Sequence, residues 1–358
     1  MPSPAGTEVQ DGLTRCPKTV SDDVNWGKDE AVDCFRSLVP VVRLANVFGL
    51  MPLSVKGGRF KFVRLSLLTA YALLVTSIMA LFLVVRVVAL LSLKEEDSEE
   101  DWVPLLTATV FYLLGATGAI LLMRLAWELP DVMVRWAGVE GRLGGVASSR
   151  VKLVVCAVVF MLSAAGETTA SVFYNIPLNC TVGFWTLLEC YVVAGHKYET
   201  QLLGYTDGTG LVILLINKYA TVVWNFVDVL IASFAIILTR HIRVYNARLK
   251  SGCGWWGAEE WRSGREDHLA FLQLLRVMDK ALGPLVLQSY VTNLFFILVQ
   301  LYLGLRPSRR EDVVARLYLT WSFLHLVARL LLVSFTCSAI HETSKYSLVQ
   351  LLNIPTER

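Results

Sequence analysis

The chain has 358 residues, 55% of them hydrophobic and 18% charged, with a formal net charge of +3. Its mean hydropathy is +0.54, and its charged fraction lies well under the roughly 25% of ordinary globular chains. Those values and the long apolar runs exclude a typical soluble domain and predict an all-α polytopic membrane protein. Seven cysteines lie scattered with no CxxC pair and no His/Cys ligand cluster, so neither a metal site nor a cofactor is expected. GxSxG, HExxH and P-loop patterns do not occur, and an enzyme is not expected.

Residues 1–34 are rich in Pro, Gly, Ser, Asp and Thr and read as a disordered tail, with too little apolar surface to offset the entropy of ordering. No apolar signal-peptide core is visible there, which predicts a cytoplasmic N-terminus. Residues 35–64 form a juxtamembrane segment expected at the inner interface. Lys56, Arg59, Lys61 and Arg64 close it, a strong cytoplasmic mark.

Six candidate spans follow, at about residues 65–91, 103–123, 151–177, 211–239, 284–305 and 314–340. The first leads into the acidic run KEEDSEED, expected as a solvated outer loop. The second leads into a basic loop in which Gly138, Gly141, Gly144 and Gly145 predict a flexible cytoplasmic connector. Beyond the third span lies the sequon Asn179-Cys180-Thr181, a candidate glycosylation site that agrees with an outer position. Cys180 and Cys190 share that loop, and pairing and two free thiols are both open.

The fourth span ends in Arg240, His241 and Arg243, so its C-terminal end should face the cytoplasm. It carries Asn217, Thr221, Trp224 and Asp228 at steps of four, three and four, on one helical face. A carboxylate at mid-span costs roughly 2.5–3.5 kcal/mol on insertion scales, so that face is expected against protein or water. The next loop mixes basic residues with Trp255, Trp256 and Trp261. Beside a membrane span this predicts contact with lipid headgroups and no nucleic acid. A cytoplasmic helix from Arg265 should run into the fifth span, with a kink at Gly283-Pro284. Residues 341–358 read as a cytoplasmic C-terminal segment.

Further polar residues lie inside the spans: Glu167 in the third, Asn293 and Gln300 in the fifth, and Trp321, His325 and Arg329 at i, i+4, i+8 in the sixth. Arg329 needs a partner, and Asp228 and Glu167 are the candidates. Sorted by depth, Glu167, Asn217, Thr221, Trp224, Asn225, Asp228, Gln300 and Trp321 are expected to line a pocket open to the outside. Aromatic faces suit the C–H face of a sugar ring, and amides and carboxylates suit its hydroxyls. An amine or amino acid fits the same residues nearly as well, and an interhelical ion pair would explain Arg329 without any ligand. A G-protein-coupled receptor and a solute transporter are the alternative readings. The first would need DRY or NPxxY motifs, which are absent, and the second gains no support from an internal repeat.

Four stretches carry a family resemblance. FRSLVPVVRLANVFGLMPL (Phe35–Leu53), VVWNFVDVLIASFAIILTRHIRVYNARL (Val222–Leu249), the stretch from REDHLAFLQLL to LYLGLRP (Arg265–Pro307) and SAIHETSKYSLVQLLNIPTER (Ser338–Arg358) resemble, in order, segments of the insect gustatory receptors, and most closely their sugar-taste branch. The resemblance implies seven spans and a homo- or hetero-tetramer of gustatory receptor subunits. It implies a ligand-gated nonselective cation channel in the plasma membrane of taste neurons, with a sugar pocket on the outer side of each subunit. It places Asp279, Arg329, His341 and Glu342 in a lower region with structural or gating roles, to which His325 is added, and Trp224, Asn225 and Asp228 at the pocket floor. The family's pore-lining seventh span, with its QF ending, has no counterpart before Arg358. The expectation is six of seven spans and a polypeptide that does not conduct alone.

Overall fold

The computed structural model describes residues 33–92, 99–143, 146, 148–177, 180, 183–252, 256–305 and 313–352. Helix α1 (Asp33–Val47) leads to a hairpin, β1 (Leu53–Lys56) and β2 (Arg59–Phe62), and then to α2 (Leu67–Leu91), α3 (Glu99–Leu143) and α4 (Arg150–Asn175). Two short helices, α5 (Phe184–Gly195) and α6 (Lys197–Leu203), precede α7 (Asp207–Gly252), α8 (Ala258–Leu305) and α9 (Val313–Leu352). Among the described residues six helices, α2, α3, α4, α7, α8 and α9, are long and apolar enough to cross a membrane.

Helix α7 is the axis of the bundle. In its most apolar window 83% of residues are buried, against 17% in α2 and α4. An all-round apolar helix is stable at the centre of a bundle, and a helix that meets lipid keeps its apolar side chains outward. Accordingly α2 leaves Leu74, Val84 and Val88 on the outside. Its N-terminus is capped by the Ser66 hydroxyl, which accepts from Thr69 N at 3.1 Å. Close approach of α3 to α7 and α8 depends on Gly118, where a Cβ would stand 2.7 Å from Gln288 Nε2 and 2.8 Å from Val223 Cγ1. Gln288 uses that proximity to donate to Leu114 O at 2.6 Å.

Several expectations are corrected. Gly138 and Gly141 do not form a connector; α3 continues through them to Leu143. Trp136, Val139, Glu140 and Leu143 recur at i, i+3, i+4 and i+7 and are all buried, and that packing outweighs the roughly 1 kcal/mol each glycine costs a helix. As expected, one helix, α8, runs through Gly283 and Pro284 into the fifth span. The segment after α4, expected as an outer loop, is no simple loop, because it holds α5 and α6 and the disulfide Cys180–Cys190. Asn179 and the loop 306–312 lie outside the described residues.

At the end where α3 and α7 finish, Glu140 is buried and accepts from the backbone N–H groups of Asp33 (2.6 Å) and Cys34 (3.3 Å). It thus caps the first turn of α1. His241 donates through Nδ1 to Ile237 O at 2.8 Å, which leaves Nε2 facing the Glu140 carboxylate at 3.5 Å.

Candidate functional site

The helices part at the end opposite that cap. There the last turns of α2, α4 and α8, the first turns of α3, residues 217–225 of α7 and residues 318–329 of α9 surround a cavity of about 600 Å³, within the range of small-molecule sites. Helices α5 and α6 close over one side.

Six of the eight expected pocket residues line it: Glu167, Asn217, Thr221, Trp224, Asn225 and Gln300. Their polar groups are wired together across helices. Ser322 on α9 donates to Glu167 Oε1 at 3.0 Å and accepts from Gln300 Nε2 at 2.9 Å, joining α4, α8 and α9. Asn225 Nδ2 donates to Thr221 O at 2.8 Å, so its Oδ1 faces His325 Nε2 at 3.0 Å as an acceptor. His325 must then carry its proton on Nε2, and Nδ1 accepts from the Ser163 hydroxyl at 2.9 Å. Trp224 meets Phe111 and Phe296 edge to face at 4.8 and 4.6 Å. Its buried indole Nε1 makes no hydrogen bond to any described residue.

Asp228 does not line the cavity. It lies one turn below Trp224, 1% exposed, and accepts from Arg329 Nε (2.7 Å), Ser289 Oγ (2.6 Å) and Asn293 Nδ2 (3.3 Å). A carboxylate whose lone pairs are filled by an arginine, a hydroxyl and an amide has satisfied its burial from within the bundle. Arg329, 2% exposed, also donates to Trp224 O at 3.3 Å and lies at the cavity floor. Asp228, and not Glu167, is therefore its partner.

Trp321 is 51% exposed and stands on the outside of the bundle. Steps of four residues drift about 40° around a helix, so over two steps Trp321 rotates out of the face that holds Arg329. His325 lines the cavity and is a wall residue as well as a packed one. Asp279, His341 and Glu342 are exposed at the far end, with Glu342 3.7 Å from Lys345 and His341 on a small apolar pocket between α7, α8 and α9.

Sequence reasoning missed the wall that α2, α5 and α6 form. Buried Arg86 on α2 donates to Glu199 Oε1 at 2.6 Å and to Gly195 O at 3.2 Å, and its Nη2 lies 3.3 Å from His196 Nδ1. Tyr191 continues the chain of contacts, donating to Asn217 Oδ1 at 3.2 Å. Burial lowers His196 below its ordinary value, an effect only partly offset by Glu199. Burial pushes the Glu199 carboxyl up, but His196 and Arg86 outweigh it and hold the group below the usual carboxylate range. The assignment consistent with both directions is an ionised Glu199 on Arg86 beside a neutral His196. The signal for this wall was present: Arg86 is the only charged residue in the run from Leu65 to Leu93 and called for a partner as Asp228 did. The apolar run Phe184–Gly195, too short to span, matched a buried or re-entrant helix.

Fold and cavity together define a multi-pass helical membrane protein built around one buried helix, with a polar chamber at one end. The same fold occurs in the insect olfactory receptor OR5 of Machilis hrabei. The TM-score is 0.64 at 10% identity, over 88% of this chain and 82% of that one. The OR5 structure in complex with eugenol gives 0.61 at 10% identity, covering 90% and 91%.

The trehalose receptor family model matches residues 19–358, and the chain belongs to that family. Relatives include the gustatory receptor for sugar taste 64a of Drosophila melanogaster, 25% identical over 87% of this chain and 71% of that protein. The gustatory receptor 5a for trehalose of the same fly is 24% identical over 65% and 54%, and the gustatory receptor for sugar taste 64f is 23% identical over 66% and 52%. The chain thus spans about half the length of two of these relatives.

Proposed function

We propose that the chain is a subunit of a sugar-gated cation channel and that the 600 Å³ cavity is its sugar site. One observation carries the reading. Indole and phenyl faces at Trp224, Phe111 and Phe296 stand beside hydrogen-bonding groups at Glu167, Asn217, Asn225 and Gln300. That combination suits a polyhydroxylated ring, with C–H faces on the aromatics and hydroxyls on the amides and carboxylate. The relatives named for sugar taste and for trehalose support the same ligand class.

The working mechanism is a shift between closed and open arrangements, limited by the ligand's differential affinity for them. A sugar hydroxyl that replaces one partner in the Glu167–Ser322–Gln300 chain acts on α4, α8 and α9 at once, and one in the Ser163–His325–Asn225 chain acts on α4, α7 and α9. Below them the Asp228–Arg329 pair holds α7, α8 and α9 together and transmits the change. In this reading the cavity faces outward, the N-terminus is cytoplasmic, and Asn179 carries a glycan. The subunit assembles as a tetramer with itself or other gustatory subunits in the plasma membrane of taste neurons and does no catalysis.

The test is a titration of the purified chain in lipid nanodiscs with trehalose, glucose and maltose, read by tryptophan fluorescence. Saturable binding is expected. Glu167→Gln and Asn225→Ala should each weaken it about tenfold, the size of one or two hydrogen bonds. Absence of saturation with every sugar, or binding indifferent to both substitutions, would contradict the proposal.

A further inference from the structure

The hairpin β1–β2 has two unlike faces. Its register pairs Leu53 with Phe62, Ser54 with Lys61, Val55 with Phe60 and Lys56 with Arg59. Strand alternation therefore sends Leu53, Val55, Phe60 and Phe62 to one side and Ser54, Lys56, Arg59 and Lys61 to the other. The apolar side is docked. Phe60 packs on Phe35 of α1 at 4.7 Å, Phe62 packs on Trp127 of α3 at 5.3 Å, and Asn46 holds Leu53 through both its N–H and its C=O. Gly57 and Gly58 turn the hairpin with φ of 58° and 70°, the left-handed pair that a two-residue turn of this twist requires.

The other side is bare and cationic. Lys56, Arg59 and Lys61 are exposed, and none forms an ion pair among the described residues. No Asp or Glu occurs between Cys34 and Ser92. Arg64 lies over the Trp127 ring at 4.0 Å, and Glu128 on the neighbouring surface is taken by Arg124 at 3.0 Å. Arg36 and Arg43 are exposed on α1, which carries the hairpin. Directly after the hairpin come Leu65 and Leu67, 98% and 91% exposed, at the start of a helix long enough to cross a bilayer. Bare leucines one step from bare cations mark the boundary between acyl chains and headgroups.

We propose that this cationic face is a binding surface for the anionic headgroups of phospholipids in the leaflet next to the N-terminus of α2. The apolar side sets the hairpin's orientation through α1 and α3, Leu65 and Leu67 enter the acyl layer, and Lys56, Arg59 and Lys61 engage the phosphate and carboxylate groups above it. Because α1 is also held by Glu140, lipid charge at the hairpin bears on the end of the bundle far from the cavity. The proposal is independent of the sugar reading.

The experiment uses the full chain purified in mild detergent and titrated with dioctanoyl phosphatidylserine, dioctanoyl phosphatidylcholine and inorganic phosphate. Binding is read by thermophoresis at low and high salt. Saturable binding of phosphatidylserine is expected, well ahead of phosphatidylcholine and of phosphate and weakened by salt. Replacing Lys56, Arg59 and Lys61 with Gln should weaken it about fivefold per lost cation, on the order of a hundredfold in all. Ser54→Lys, which adds a charge to the same face, should strengthen it about fivefold and guards against a variant that merely misfolds. Equal binding of the two lipids, full binding by the triple variant with no gain in Ser54→Lys, or complete competition by inorganic phosphate would each overturn the proposal.

Discussion

Helix α7 passes through two unlike regions. Its upper stretch, Asn217 to Asn225, presents polar and aromatic side chains to a cavity, whereas from Phe226 to Leu238 nearly every side chain is packed against α3, α4, α8 and α9. The same helix thus serves as the wall of a chamber and the centre of a solid core. What separates the two is how polar groups are satisfied. Above the boundary, amides and hydroxyls reach one another in chains that line the cavity. Below it, Asp228 is closed in by Arg329, Ser289 and Asn293.

That contrast can be broken from below. Asp228→Ala leaves Arg329 buried without a counter-charge, and removal of one member of a buried pair costs roughly 3–5 kcal/mol. Loss of folded, detergent-stable protein is expected, measured by thermal unfolding. A well-folded Asp228→Ala protein with impaired ligand binding would move Asp228 into the chamber. A second strike at the core is Gly118→Ala. Its new methyl group meets Val223 and Gln288, and overpacking of this kind costs about 1–3 kcal/mol; a melting temperature unchanged from wild type would show that α3 has room to move.

The wall of the chamber formed by α5 and α6 is expected to respond to pH. Burial lowers the proton affinity of His196 below the ordinary imidazole value of 6.5. The unfolded chain therefore binds a proton first as pH falls, and the stability the neutral form contributes is present above about pH 6.5 and lost below it. Arg86, Glu199, Tyr191 and Lys218 are the charged and titratable groups around it. Protection of the α5 and α6 amides, taken relative to the intrinsic exchange rate at each pH, should fall as pH drops from 7.5 to 5.5, and His196→Gln should remove that loss. The smallest effect belongs to Trp321→Leu. This exposed side chain should change ligand affinity by less than about twofold and stability by less than about 0.5 kcal/mol.

Legibility of the sequence followed the same boundary. The six long helices were visible because hydrophobic length is a local property, and the Arg329 partnership was narrowed to two carboxylates because an unpaired charge in a membrane is costly. Asp228 was placed in the pocket because helical periodicity gives a face but not depth within a bundle; only the approach of α8, with Ser289 and Asn293, decides that the face is closed. Trp321 failed through the drift of i+4 spacing. The hairpin, α5 and α6 were missed because their stability comes from docking on Trp127, Phe35 and Arg86, contacts far apart in sequence. The continuation of α3 to Leu143 was missed because tertiary packing overrode its glycines.

The most direct test is the chemical accessibility of the chamber from outside the cell. Thr221→Cys, expressed at the surface of intact cells, should be modified by an externally applied, membrane-impermeant thiol reagent faster than the parent chain, and saturating sugar should slow that reaction. Phe234→Cys, in the packed stretch of the same helix, should not react. Equal labelling of the two positions, or labelling of Thr221→Cys that sugar leaves unchanged, would contradict a sugar chamber set above a closed core.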